Sequence, residues 1–282
     1  MIYTHVLQSL SGNTNPLRAR HVRGSELRFD VPADWQQGRT AYGGLASAMA
    51  AQAMHDVAGA AWPADARLRA LQTNFVGPVA PGPAAIDVQL LREGKSVRQV
   101  MARLRTGGGE VAGLWVGVYG SPRPTTLDTL APQAQPLRHA PGEAPTRPFT
   151  PGAMPDLLSH FEVGWAAGSP PFSGGTGWDT SQYLRLVRDR ADLIDPDVLV
   201  VLLADLPPTP AISRLTRPAP ASSVCWALEL LPLAAPVAAD AWWRIDTSTR
   251  SAGEGYANHS STLWAPDGTP AAFGHQVVAV YA

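Results

Sequence analysis

A few residues in this sequence stand where chemistry would need them. Gln276 sits in the otherwise apolar run HQVVAVY, and a buried amide there requires a partner, whether from a reactive site or from structure alone. Asp205 closes the apolar segment DPDVLVVLLAD just before Leu206-Pro207-Pro208. An aspartate in that place reads either as a carboxylate able to take a proton or as an ordinary helix-end residue. Gly43-Gly44 falls near the start of a predicted helix. The free N–H groups of a helix start carry partial positive charge, and a side-chain-free pair lets a carbonyl oxygen approach them. Tight contact between helix and sheet is the alternative use of the same pair.

Other chemistries are poorly supported. The chain has no G-x-S-x-G, G-x-x-x-x-G-K-[ST], H-E-x-x-H or C-x-x-C, which argues against a serine hydrolase elbow, a phosphate-binding loop and a zinc hydrolase. Gly174-Gly175-Thr176-Gly177 matches no dinucleotide fingerprint and reads as a loop. The seven histidines lack ligand spacing, and His55, His259 and His275 read as surface or strand residues, so no metal is predicted. Cys225 is the only cysteine, which removes intrachain disulfides and reads as a small core residue. Trp226, Trp242 and Trp243 read as core or subunit interface. A formal charge of -1 gives no footprint for nucleic acid or an anionic membrane. Hydrophobic residues at 45% and charged residues at 16% mark a globular chain. The N-terminus lacks the pattern of a secretory leader, and no apolar run approaches the roughly 20 residues of a membrane span. The expectation is a cytoplasmic protein.

The elements that would position these residues come in two similar sets. The first holds a short strand in GSELRFDVPADWQQG and an alanine-rich helix from about Ala41 to Val57. Leu45, Met49, Ala53 and Val57 recur every four residues along it. Strand patterns follow at 67–77, 84–92, 96–106 and 110–119, separated by Pro-Gly, Glu-Gly-Lys and Gly-Gly-Gly turns. Residues 121–155 carry nine prolines without a period and read as a linker or surface crossover. The second set predicts strands in FEVGWAAG and TSQYLRLVRD, then a helix capped by Asp195 with Pro196 at its first position and stopped by Pro207-Pro208. Strands at 221–231, 241–249, 254–264 and 271–281 complete it, the last two joined by a turn at Pro266–Gly268. Positions 159 apart share Ile86-Asp87 with Ile245-Asp246, Leu104 with Leu263, Gly109 with Gly268 and Ala112 with Ala271. A helix apolar on nearly every side needs apolar surroundings on every face, and a curved antiparallel sheet wrapped around it supplies them, which is the hotdog arrangement. The prediction is an α+β double hotdog with halves at 1–120 and 156–282 and a linker at 121–155. Each half would be a long apolar helix wrapped by a curved antiparallel sheet.

The closing segment WWRIDTSTRSAGEGYANHSSTLWAPDGTPAAFGHQVVAVY resembles the last strands of the acyl-CoA thioesterase II family. The likeness lies in an aromatic-rich strand, a Ser/Thr stretch, small residues, a D-G turn and a strand carrying glutamine. LQTNFVGPVAPGPAAIDVQLLREGKSVRQVMARL resembles the N-terminal half of the same family, including its R-[ED]-G-x-S hairpin. The resemblance implies a water-activating set of Asp, Thr or Ser, and Gln. Residue by residue it falls on Asp205, Ser223 and Gln276, with Ser222 one place away from the hydroxyl position. Serine stands where the family usually has threonine.

By this resemblance Asp205 would take the proton of a water that Ser223 and Gln276 orient, and Gly43 and Gly44 would face the developing oxyanion. The expected substrate is an acyl thioester, with CoA as part of the substrate and no separate cofactor. Arg92, Lys95 and Arg98 gather about a hairpin and fit a CoA phosphate or, more simply, a solvated face. A homo-oligomer formed through sheet edges is expected by analogy with the fold class. Two rival readings are an enoyl-CoA hydratase, whose Asp/His motif with Asn-Pro is not found, and a non-catalytic acyl-CoA or lipid binder. Hydrolysis of a carrier-protein or aryl-CoA thioester is a further variant.

Overall fold

The computed structural model describes residues 17, 20–130, 132–187, 195–238 and 240–282. The N-terminal stretch read for a leader, and the last two residues of the strand predicted to run to Asp189, lie outside the described residues. The chain divides into two compact units. One is Met1–Pro124 with Thr150–Ser159, and the other is Thr125–Phe149 with His160–Ala282.

In the first unit β1 (Arg20–Arg23) and β2 (Glu26–Val31) form a hairpin. A pair of two-residue strands, β3 (Gln36–Gln37) and β4 (Thr40–Ala41), leads into α1 (Gly43–Ala58). Then come β5 (Arg67–Phe75), β6 (Gly82–Glu93), β7 (Val97–Thr106) and β8 (Val111–Gly120). Within this unit the strand order is β1-β2-β6-β7-β8-β5, antiparallel throughout. Every residue of α1 from Gly44 to Met54 is buried, which explains its small residues on all sides. Larger alternatives would not fit against the β6, β7 and β8 strands that contact it. Polar groups on this helix are matched from the sheet: Trp115 Nε1 donates to Ser47 Oγ at 3.0 Å, and Tyr119 Oη donates to the Ala51 carbonyl at 3.2 Å.

The second unit repeats the plan with β9 (Phe161–Ala167), β10 (Asp179–Leu186), α2 (Pro196–Ala204), β11 (Ala221–Leu230), β12 (Trp243–Gly253), β13 (Tyr256–Trp264) and β14 (Pro270–Val280). Its order is β9-β10-β12-β13-β14-β11, the first unit's order with equivalent strands. The matched positions of the sequence fall on equivalent places: Ile86 and Ile245 on β6 and β12, Leu104 and Leu263 on β7 and β13. Gly109 and Gly268 both take left-handed turn geometry, at φ 81 and 83.

The second helix has nine residues rather than the long span expected, because Asp195-Pro196 starts it and Pro207-Pro208 follows. Asp195 Oδ1 accepts the Asp197 N–H at 2.9 Å, the predicted cap. A helix this short is marginal alone. Val198–Ala204 are all buried, and each fully buried valine or leucine stabilises by about 1.5–3 kcal/mol. Strand β12 runs four residues beyond its predicted end at Thr249. A two-residue turn, Glu254 at φ 52 and Gly255 at φ 79, closes the β12–β13 hairpin. Two left-handed residues match the twist of paired strands, so the pairing continues to Gly253↔Tyr256.

The proline-rich stretch forms no helix among the described residues, and its β-pairing there is a single isolated bridge. Its 125–149 part is docked on the second unit. Trp165 N–H donates to the Pro145 carbonyl at 2.9 Å, Tyr183 Oη donates to the His139 carbonyl at 3.1 Å, and Thr146 makes that bridge, to Gly164.

Candidate active site

Strand β14 places the central residue. Along it Ala272, Gly274, Gln276 and Val278 are buried, while His275 is exposed. Gln276, 8% exposed, therefore points to the face that packs on α2. Its Nε2 donates to Asp205 Oδ1 at 2.7 Å and to Ser223 Oγ at 2.7 Å. Asp205 is the C-cap residue of α2, with φ -98 and ψ 0. The two prolines that stop the helix thus fix where the carboxylate stands. Three of the residues singled out in the sequence meet within the second unit.

An irregularity in β11 decides which of the two neighbouring serines reaches Gln276. Trp226 is paired with Gln276 and is buried on the same face. Counting back by twos from Trp226 would bring Val224 and Ser222 to that face. The pairing instead shifts between Ser223 and Cys225: Cys225 faces Val277, Ser223 faces Val278, and Val224 has no partner in the register. This β-bulge turns Ser223 inward, diagonal to Gln276, and leaves Ser222 and Val224 exposed. Cys225 is half-buried, not a core residue, because the alternation resumes with Trp226 inside.

His259 is the residue whose burial sequence reasoning missed. Of the two readings offered for it, surface or strand, the strand one holds, but it is 6% exposed and lies opposite Gln276 in the β13–β14 register. The signal was available: Ala257 and Leu263 share its parity along β13, and both are buried. The His259 ring faces the Gln276 side chain across the strand pair. Burial pushes its pKa from 6.5 down to about 4; the Gln276 side chain opposes this, and the nearby His275 adds to it. The ring is neutral at pH 7.

Gly43 and Gly44 open α1 in the first unit. A Cβ on Gly44 would run into the Tyr42 ring and hydroxyl, so packing favours glycine there. Arg98 is no part of a solvated face. It is 7% exposed, its Nε bonds Glu93 Oε1 at 3.0 Å, and its guanidinium lies 5.7 Å from the Trp62 ring centre. Arg92 and Lys95 are exposed. Trp226 and Trp243 are core residues, and Trp242 lies under Arg185 at 4.7 Å. Among the described residues no three His, Cys, Asp or Glu side chains cluster as metal ligands. No helix described is long and apolar enough to cross a membrane.

An aspartate at a helix end, joined through a buried glutamine amide to a serine turned in by a bulge, defines a site able to hold and deprotonate a small nucleophile. Comparison with known proteins gives the class. Residues 138–280 match the acyl-CoA thioesterase C-terminal domain, and residues 31–118 match the acyl-CoA thioesterase N-terminal domain. The chain belongs to the acyl-CoA thioesterase family, and it is a thioester hydrolase. Solved structures agree on a hotdog fold. A conserved hotdog-fold protein from Alicyclobacillus acidocaldarius is 21% identical, with 95% of this chain and 97% of that one covered at a TM-score of 0.78. The tesB protein of Mycobacterium avium subs paratuberculosis is 17% identical, with coverages of 95% and 97% and a TM-score of 0.74. An acyl-CoA thioesterase II from Mycobacterium marinum is 17% identical, with coverages of 93% and 95% and a TM-score of 0.68. No curated protein matches by sequence.

Proposed function

We propose that this chain, built as two tandem hotdog halves, hydrolyses an acyl-CoA to the free acid and CoA with a water held by Asp205, Ser223 and Gln276. The observation that carries the reading is the double donation of Gln276 to Asp205 and Ser223. A carboxylate that accepts from a fixed amide keeps a defined orientation. Ser223 accepts from Gln276, so its own O–H remains able to donate to a water lone pair.

In the reaction Asp205 takes one proton from the water as the oxygen adds to the thioester carbonyl. The tetrahedral oxyanion collapses, the C–S bond breaks, and the sulfur leaves with the proton held by Asp205. General base catalysis of this kind contributes about 10²–10⁴ in rate. The developing oxyanion needs backbone N–H donors aimed at it. No metal or redox cofactor enters these steps. A homo-oligomer is proposed on the analogy of the fold class.

Thiol release from short, long and aromatic acyl-CoAs tests this. Wild type should release CoA, and Asp205→Asn and Gln276→Ala should each lose most of that activity while remaining folded. A wild type inert on the whole panel would refute hydrolysis and leave a binding protein in its place.

A further inference from the structure

We infer that His259 is a positioning residue of this site: its ring N–H holds the Gln276 carbonyl oxygen, and so keeps the Gln276 amide turned toward Asp205 and Ser223. The inference rests on the hydrolase reading for its effect on rate, but its geometry stands independently.

A carboxylate only accepts hydrogen bonds. The Gln276 amide must therefore present its NH₂ to Asp205, which turns its Oε1 the other way. That oxygen sits on a residue 8% exposed and needs a donor of its own. His259 lies directly across the strand pair, its imidazole beside the Gln276 side chain. Its Nδ1 is buried without a partner among the described residues, which leaves Nε2 to donate to Gln276. A neutral imidazole has one N–H. With that proton on Nε2, the bare Nδ1 needs no acceptor, whereas a second proton would be buried without one. Thr249 continues the row, opposite His259 in the β12–β13 register. Its Oγ1 is also buried without a partner among the described residues.

The first unit shows that the fold does not require this row. The equivalent positions on its strands are Leu90, Val100, Gly117 and Leu71, in the registers Leu90↔Val100, Val100↔Gly117 and Leu71↔Gly117. The second unit has Thr249, His259, Gln276 and Trp226 in the same registers. Even the bulges coincide, at Leu90/Arg92 and Thr249/Ser251. In the first unit the buried places of this row, Val100, Gly117 and Leu71, carry no polar side chain and Leu90 is exposed, whereas the second unit fills the row with hydrogen-bonding groups. Burying such groups is unfavourable unless they are used, so function accounts for them where packing does not.

Three variants and one spectrum test the assignment. His259→Leu should lower kcat about 10–100-fold with KM within about twofold, the scale of a mispositioned reacting group. His259→Gln, which restores an N–H donor, should recover most of that loss. In a Gln276→Ala background, His259→Leu should cost less than about twofold more, because the residue acts through Gln276. Equal losses in both backgrounds, or a folded His259→Gln no better than His259→Leu, would overturn the inference. Nitrogen-15 spectra of wild-type imidazoles at pH 7 should show Nε2 protonated and Nδ1 bare for His259. The opposite tautomer overturns the inference even if the variants do not fold. If wild type is inert on all thioesters while this tautomer is found, the hydrolase reading fails and the positioning geometry survives.

Discussion

Acid should destabilise this protein through His259, and the size of the effect can be worked from its burial. The imidazole titrates near 6.5 when exposed in the unfolded chain and near about 4 in the fold. Between those values the unfolded state binds the extra proton and the folded state does not, so stability rises with pH across this window. The contribution is complete above about pH 6.5 and is lost as pH falls toward the folded value. At about 1.4 kcal/mol for each unit of pKa, the full difference is about 3 kcal/mol, and the part lost between pH 7 and pH 5 is about 2 kcal/mol. Urea denaturation at both pH values, for wild type and for His259→Gln, reads this directly. Wild type should lose about 2 kcal/mol more than the variant over that interval, with unchanged denaturant slopes. Equal losses in the two proteins would show that His259 is not the buried neutral group described, and the reasoning from its register would fall with it.

Two further outcomes follow from the site's construction. Ser223→Ala should lower kcat by about tenfold or more, and Ser222→Ala should leave it within about twofold, because only Ser223 reaches Gln276; a larger effect at Ser222 in steady-state assays would place the hydroxyl wrongly. Gly44→Ala should lower the melting temperature, since overpacking against the buried Tyr42 costs about 1–3 kcal/mol and exceeds the roughly 1 kcal/mol of helix propensity that alanine supplies. Thermal unfolding that is unchanged or raised would mean that Tyr42 gives way easily.

Local chemistry made much of this protein legible in its sequence. Asp195-Pro196 and Pro207-Pro208 bracket α2 because a side-chain cap and a missing N–H act within one turn. The strand alternation and the Pro266–Gly268 turn placed β13 and β14 for the same reason. Gln276 and Asp205 were identifiable as types that need an explanation, and family resemblance joined them to Ser223.

What the sequence could not decide depended on contacts between distant parts of the chain. Asp205 and Gln276 are 71 residues apart, and only the packing of α2 on β14 brings a helix end to a strand centre. The choice of Ser223 over Ser222 rests on one unpaired residue, Val224, and a bulge shifts the facing of every residue on one side of it without leaving a period to read. The burial of His259 was written in the parity of β13, but its meaning was not. A histidine across a strand pair from a glutamine becomes a fixed, neutral donor only once the sheet's register is formed and its face is closed to water.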